Sequence, residues 1–364
     1  MKIVSLFSGC GGLDLGFKLA GFNIIWANEY DKTIWNTFKK NFPKVKLDLR
    51  SIIDVPSMDI PNCIGIIGGP PCQSWSEAGA GRGLNDDRGK VFFEYVRILK
   101  DKQPLFFLAE NVSGILASRH AHAFNKIKDS LSDAGYNLSC KLLNAKNFNV
   151  PQDRKRVIIV GFHKSLNAKF KFPKGINQSP TLRDAIWGMS EPLPAQGFNK
   201  ANTAESLQIP NHEYMNGGFS TMYMSRNRVR SWDEQSFTIQ AGGRHAPCHP
   251  QASKMIFVEQ DKRIFDKRSS KPYRRLSVRE CARVQTFPDS FVFEYTNIAD
   301  GYKMIGNAVP VNFAQALAES ILEQLCTICN RSGIKFEGIV PNLNENSAVI
   351  ASPKLDQKEP VLMY

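Results

Sequence analysis

A single thiol stands at the end of a stiff turn. Gly68-Gly69-Pro70-Pro71-Cys72-Gln73-Ser74-Trp75-Ser76 follows a short apolar run, Ile64 to Ile67, that reads as a buried strand. The two prolines restrict the backbone ahead of Cys72. The stretch after it, Glu77 to Gly89, is poor in apolar residues and rich in glycine. Cysteine is an intrinsically strong nucleophile, and a strand-end turn followed by a glycine-rich loop is a good mount for one. The turn by itself fits an ordinary buried cysteine equally well.

Other residues with chemistry fall at similar places. Ile3 to Phe7 reads as a strand that ends in Ser8-Gly9-Cys10-Gly11-Gly12, and a helix follows from about Leu13 to Ala20. Ile24 to Ala27 reads as a second strand ending at Asn28-Glu29, so Glu29 stands 20 residues after Gly9. This layout belongs to a nucleotide-cofactor half-site: glycines let backbone approach the ligand and a carboxylate takes ribose hydroxyls. The Gly-x-Gly-Gly spacing is not the dinucleotide fingerprint, which favours an adenosine cofactor without a diphosphate. A helix over Asp31 to Lys40, a short strand over Val45 to Leu49 with Asp48 near its end, and a helical face from Val91 to Leu99 continue the pattern. Leu105 to Ala109 reads as a strand ending at Glu110-Asn111-Val112. A helix over Phe124 to Leu131 and a strand over Val157 to Phe162, preceded by Gln152-Asp153-Arg154-Lys155-Arg156, complete it. Strands alternating with helices predict an α/β domain with a mostly parallel sheet. Ligands of such sheets sit at the carboxyl ends of the strands. Gly9, Glu29, Asp48, Cys72 and Glu110 all fall there.

The chain of 364 residues carries a formal charge of +13, which favours a polyanionic partner, and 42% hydrophobic residues, enough for a sizeable core. Eight scattered cysteines form no disulfide-type framework, which suits a reducing cytosol. No signal peptide or membrane-length apolar run is evident, so no membrane partner is expected. From about Gly188 the texture becomes irregular and basic. Arg226, Arg228 and Arg230 alternate within Met222 to Arg230, Arg244 follows Gln240-Ala-Gly-Gly, and Lys262 to Arg275 is strongly basic. On a strand the three alternate arginines would share a face. His245, Cys248 and His249, and the lone Cys326-x-x-Cys329, lack a second ligand pair, so no metal is expected. A helix runs to about Cys329 with Val311, Ala314, Leu317, Ile321 and Leu325 on one face, and residues 331–364 look like an appended tail.

Six motifs occur in register: Phe7-Ser-Gly9-Cys-Gly11-Gly12, Pro70-Pro71-Cys72-Gln73, Glu110-Asn111-Val112, Gln152-Asp-Arg154-Lys-Arg156, Arg279-Glu280-Cys-Ala-Arg283-Val-Gln and Gly306-Asn307-Ala308-Val309. Together they make the chain resemble the DNA (cytosine-5)-methyltransferases over about residues 1–330. Similarity through Met224 to Arg230 and Gln240 to Arg244 extends to the bacterial HaeIII-type methylases, which modify the inner cytosine of GGCC. The resemblance implies an α/β, Rossmann-like S-adenosylmethionine-dependent methyltransferase sheet with a second, smaller, irregular target-recognition domain. The divisions expected are 1–187 for catalysis and cofactor, 188–273 for recognition, 274–300 as hinge and support, 301–330 returning to the catalytic domain, and 331–364 as tail.

By resemblance Cys72 adds to C6 of a cytosine flipped out of the duplex, Glu110 holds the N3 and N4 edge, Arg156 binds the O2 side and Arg154 orders the site. The cofactor is expected against Phe7, Gly9, Gly11, Leu13, Leu49, Pro71, Val91 and Asn307, with Glu29 on the ribose and Asp48 on the adenine amine. Gln73, Ser76, Arg82 and Arg88 in the loop, and Arg226, Arg228, Arg230 and Arg244 beyond it, are the expected DNA contacts. The expected partner is double-stranded DNA, and a paired restriction endonuclease is compatible with this reading. The expected setting is a monomer in the bacterial cytoplasm, nucleoid-associated when bound to DNA. The rival readings are a cytosine-5 methylase acting on RNA and a non-catalytic DNA-binding module.

Overall fold

The computed structural model describes residues 1–71 and 87–332. A seven-stranded sheet runs in the order β3-β2-β1-β4-β5-β7-β6. Its strands are β1 (Lys2–Leu6), β2 (Asn23–Asn28), β3 (Lys46–Asp48), β4 (Gly65–Gly68), β5 (Phe106–Val112), β6 (Tyr136–Asn144) and β7 (Lys155–His163). β1 to β5 are mutually parallel, whereas β7 is antiparallel to both β5 and β6. The central strands are mostly apolar because both faces are covered. Ile3, Ile67, Phe106, Leu108, Ile158 and Val160 pack on one face against α1 (Gly12–Leu19) and the long α8 (Val311–Ser332). Val4, Leu6, Ile66, Phe107, Ala109, Val157 and Ile159 pack on the other against α3 (Asp87–Lys102) and α4 (Ala121–Asp133).

The association of α1 with α8 depends on a small residue. A Cβ on Gly16 would lie 2.4 Å from the Ala314 Cβ and 2.7 Å from the Val311 carbonyl oxygen. The two helices are therefore in backbone contact, and the last helix closes the layer that begins with the first.

Several boundaries differ from those read in the sequence, each for a local reason. α2 spans Trp35–Asn41 rather than starting at Asp31. Asp31 instead closes the turn ahead of the helix: its Oδ1 accepts from the Thr33 N–H at 3.0 Å, and its carboxylate pairs with Lys303. β5 continues through Glu110 to Val112, because β7 pairs with it along that whole length. β6 carries no apolar alternation that marks it as a strand. It is the sheet edge, covered by the chain from Ala168 to Phe172: Asn137 Nδ2 donates to the Ala168 carbonyl at 3.2 Å and Ser139 Oγ to that of Phe170 at 2.6 Å. Covering the edge in this way blocks strand addition. α7 (Ile298–Asn307) precedes α8, where the sequence showed only a motif.

Residues between α5 (Leu182–Ile186) and α6 (Val278–Val284) form short pieces: β8 (Leu193–Pro194) with β9 (Glu213–Tyr214), and the hairpin β10 (Ile256–Glu259) with β11 (Lys262–Ile264). A small apolar cluster of Tyr223, Val229, Cys248 and Met255, flanked by Phe219, Phe265 and Tyr273, packs within them. Arg275 reinforces it, lying 4.1 Å from the Phe219 ring centroid while its guanidinium donates to the Gly217 and Gly218 carbonyls. Among the described residues no helix is long and apolar enough to cross a membrane.

Candidate active site

The carboxyl ends of β1 to β5 and the amino end of β7 share one rim of the sheet, as their register requires. The turn after β1 is unusual. Phe7, Gly9 and Gly11 all have positive φ, at 54°, 56° and 94°. Phe7 pays a strain that its glycine neighbours do not. At Gly11 a side chain is excluded twice, by φ and by the Phe42 ring, 2.3 Å from where a Cβ would lie. Glu29 at the end of β2 locks the turn: its Oε2 accepts from the Gly9 N–H and its Oε1 from the Asp31 N–H, both at 2.8 Å. Burial raises the Glu29 carboxyl above its ordinary range, and the two amides oppose that shift.

These contacts test what the rim can hold. The Gly9 amide, which a diphosphate would need, is already bonded to Glu29, so the turn offers a carboxylate instead of an anion cradle. That acceptor fits an adenosine whose ribose hydroxyls donate to it. Asp48 lies next along the rim, its carbonyl accepting from the Glu29 N–H at 3.0 Å. Arg50 holds the Asp48 carboxylate from two sides, Nε at 3.0 Å from Oδ1 and Nη2 at 2.6 Å from Oδ2, and keeps its pKa below the usual carboxylate range. Arg50 Nη2 is itself fixed by Asp59 at 2.9 Å. Leu13 is buried at the start of α1, and Leu49 and Val91 are half-buried. Pro71 and Asn307 are exposed.

On the other side of β1, Glu110 and Arg156 face each other from β5 and β7. Arg156 Nε is 2.9 Å from Glu110 Oε1, and both side chains are about nine-tenths covered, at 11% and 10% exposed. The donor is not aligned for a hydrogen bond, so the contact is an ion pair whose oxygens keep acceptor capacity. Gly69 passes directly over this carboxylate: a Cβ there would sit 3.4 Å from Oε2. Asn111 Nδ2 ties the Pro70 carbonyl at 3.1 Å, fixing the turn after β4 to the end of β5. The described chain reaches Pro71 at this point. Cys72, Gln73, Ser76 and Arg82 lie outside the described residues, as does the side chain of Arg88.

Arg154 is not at the rim surface. It is 1% exposed and donates Nη1 to the Ile239 carbonyl at 3.0 Å and Nη2 to those of Gly306 and Ala308, both at 2.9 Å. Burial, with Arg156 adding to it, lowers its pKa to about 9. Beside it runs an amide chain that sequence reasoning passed over. Gln152 Oε1 accepts from the Ile239 N–H at 2.9 Å, Gln152 Nε2 donates to Gln285 Oε1 at 2.8 Å, and Gln285 Nε2 donates to the Ile305 carbonyl at 2.7 Å. Gly306 lies so close to residue 240 that a Cβ would fall 2.2 Å from the Gln240 carbonyl carbon. Four motifs far apart in sequence thus meet in one buried joint behind Glu110 and Arg156. Both glutamines were visible as motif members; that they bond to each other across 133 positions was not.

A cavity of about 430 Å³ opens beside the ion pair, lined by Ser113, Asp153, Lys155 and Arg156 together with Arg230, Phe237 and Thr238. Arg230 pairs with Glu234 at 3.0 Å and lies 4.2 Å from the Phe237 ring centroid. Arg226 and Arg244 are exposed. The alternate arginines do not form one strand face. Tyr223–Ser225 is a 3-10 turn, and Arg228 folds back onto it, its Nε donating to the Tyr223 carbonyl at 2.8 Å.

Burial raises the thiol pKa of every one of the seven described cysteines, Cys10 and Cys63 to about 12. None of them is poised as a thiolate. Cys248 lies 3.2 Å from the Tyr223 hydroxyl, and His249 packs edge-on to Trp232 near Glu280. No group of His, Cys, Asp and Glu among the described residues could hold a metal ion.

Comparison with known proteins places this geometry. Residues 1–323 match the family model described as C-5 cytosine-specific DNA methylase. The Type II methyltransferase M.MthTI of Methanothermobacter thermautotrophicus is 59% identical over 91% of this chain and 99% of its own length. M.FnuDI of Fusobacterium nucleatum is 53% identical over 93% and 98%. Among solved structures, a putative DNA modification methyltransferase encoded within an Escherichia coli prophage superposes with a TM-score of 0.66 at 25% identity, covering 90% of this chain and 99% of that one. The Dnmt2 methyltransferase of S. pombe gives 0.62 at 20% identity over 89% and 99%, a likeness of fold. With a cofactor rim, a paired acid and arginine, and these relatives in agreement along nearly its whole length, the chain belongs to the C-5 cytosine-specific DNA methylase family.

Proposed function

We propose that this S-adenosylmethionine-dependent Type II DNA methyltransferase modifies the inner cytosine of GGCC in duplex DNA, flipping the base out and forming a transient bond between Cys72 and C6. The observation that carries the reading is the Glu110–Arg156 pair, opening onto a cavity that Arg230, Phe237 and Thr238 also line. A cytosine ring entering there meets an acid for its N3 and N4 edge and a guanidinium for its O2 side. Addition of the Cys72 thiolate at C6 converts the ring to an enamine, whose C5 then accepts a methyl group. Loss of the C5 proton and elimination of the thiol restore the double bond and the free cysteine. S-adenosylmethionine supplies the electrophilic methyl group when bound. The other side chains bind and orient: Glu29 accepts the ribose hydroxyls, Asp48 the adenine amine, and Arg154 keeps the joint behind the site closed. Withdrawing the base from the stack costs roughly a few kcal/mol.

Division of labour follows the same reading. Residues 1–187 and 301–330 form the catalytic part, 188–273 recognise the target, and 274–300 join the two. Exposed Arg226 and Arg244 are suited to guanine edges, where a bidentate arginine contact is the commonest specific one. The protein acts as a monomer beside a companion endonuclease. The test is incubation with S-adenosylmethionine and a GGCC duplex bearing 5-fluorocytosine at the inner position. The expected result is a covalent complex that Cys72→Ser abolishes. A complex that survives Cys72→Ser would reject the chemistry. Full cleavage by a GGCC-specific endonuclease after methylation would reject the target.

A further inference from the structure

A second cavity, of about 420 Å³, lies next to the first and shares Lys155 with it. It occupies the carboxyl end of the edge strand β6, where Asn144 stands opposite Lys155, one residue before Arg156. Its walls are Leu142, Phe148, Phe172 and Pro173, and its charged residues are Lys141, Lys155 and Lys174. All three lysines are exposed, none is ion-paired among the described residues, and no carboxylate lines the groove. The floor is firm. The Ile176 N–H donates to the Asn147 carbonyl at 2.8 Å, and the Lys171 backbone is clamped by the Gln324 amide of α8 through two bonds of 2.8 Å.

We propose that this groove seats the sugar–phosphate backbone of the duplex flanking the target on one side of the cleft. The inference rests on the reading that the first cavity receives the target cytosine. Three features point to this occupant. The charge is of one sign and faces outward, where a solvated surface mixes both signs. The groove is continuous with the target cavity through Lys155, so a duplex engaged at one is carried past the other. The apolar walls between lysines match a backbone in which deoxyribose faces alternate with phosphates. Since phosphate contacts position a duplex without reading it, the groove adds affinity and register but no sequence preference. Its contribution appears only when the DNA is long enough to reach it, and only on one flank.

The experiment compares a GGCC duplex ending a few base pairs beyond the target with duplexes extended by about one helical turn on either flank. Binding and methylation are measured for the wild type and for the double variant Lys141→Glu, Lys174→Glu. Each phosphate contact adds about 0.9 to the slope of log affinity against log salt. Two lost contacts therefore make the variant's binding to the long duplex less salt-sensitive by about tenfold between roughly 50 and 200 mM. The wild type is expected to prefer one extended duplex over the short one. The variant should lose that preference while methylating the short duplex at the wild-type rate. Equal wild-type affinity for short and extended duplexes overturns the proposal, and so does a variant that keeps both the preference and the salt slope. Wild-type failure to methylate any duplex would instead overturn the reading of the active site, so the two failures are distinct.

Discussion

Replacing Asp14 with asparagine isolates a single buried charge. Asp14 stands in the first turn of α1 and is 0% exposed, and neither carboxylate oxygen has a well-aligned hydrogen-bond partner; the fully buried Ser5 hydroxyl nearby only partly offsets the burial. Burial, together with the nearby Glu29 carboxylate, raises the Asp14 pKa from 3.8 to about 7. Well below the unfolded value of 3.8 the carboxyl is protonated in both the folded and unfolded chain and costs nothing. Between pH 4 and 7 the unfolded chain gives up the proton while the folded chain keeps it, so folding stability falls as pH rises. Above pH 7 the folded chain ionises too and the full difference is in force. A shift from 3.8 to about 7 corresponds to about 4 kcal/mol. Asparagine has nearly the same shape and no charge. Asp14→Asn is therefore expected to gain stability over the wild type by up to about 4 kcal/mol between pH 4 and pH 8, most of it between pH 5 and 7.5. Urea denaturation followed by circular dichroism at half-unit pH steps measures this directly. A stability difference that stays flat over that range would refute the reasoning, because it would mean that the carboxyl never ionises differently in the two states.

Glu110→Gln should lower turnover by about 10²- to 10⁴-fold while leaving S-adenosylmethionine affinity unchanged in a calorimetric titration. Gly306→Ala forces a methyl group against the Gln240 backbone and is expected to cost about 3 kcal/mol in urea denaturation; Gly114→Ala, with nothing within 4 Å of the added carbon, should be silent. Arg50→Ala frees the Asp48 carboxylate to rotate, so S-adenosylmethionine binding should weaken by about three- to tenfold, with kcat changing less than KM. Arg154→Ala leaves the Ile239 and Gly306 carbonyls without a donor, while Ala308 keeps Gln285, and should cost about 2–5 kcal/mol, measured by thermal unfolding.

The rim of the sheet was legible because its central strands are short and mostly apolar, with polar or charged residues at the ends of β2 and β5. Glu29, Asp48 and Glu110 stand where a reading of strand ends puts them, although β5 runs past Glu110 to Val112. Other features were hidden for physical reasons. β6 has no apolar face to advertise, since its edge is covered by a strap whose bonds come from Asn137 and Ser139 side chains. Asp31 looked like helix and is a turn, because its carboxylate is engaged by Thr33 and by Lys303, 272 residues away. Gln152 and Gln285 are ordinary polar letters until the fold brings them within 2.8 Å of each other. Arg154 and Arg156 differ by two positions and look interchangeable. One faces the cavity beside a carboxylate, and the other is sealed among three carbonyls.

The backbone contact between α1 and α8 also sets a schedule for biosynthesis. The turn that Glu29 grips leads directly into α1, and the surface against which α1 packs, from Val311 to Ala314, is made about 300 residues later. At roughly 5–20 residues per second, the first helix waits about 15–65 s on the ribosome for its partner. Until then the cofactor rim has an open flank. A chain truncated ahead of α8 would leave Gly16 facing water, and its cofactor cleft would be incomplete whatever the integrity of its sheet.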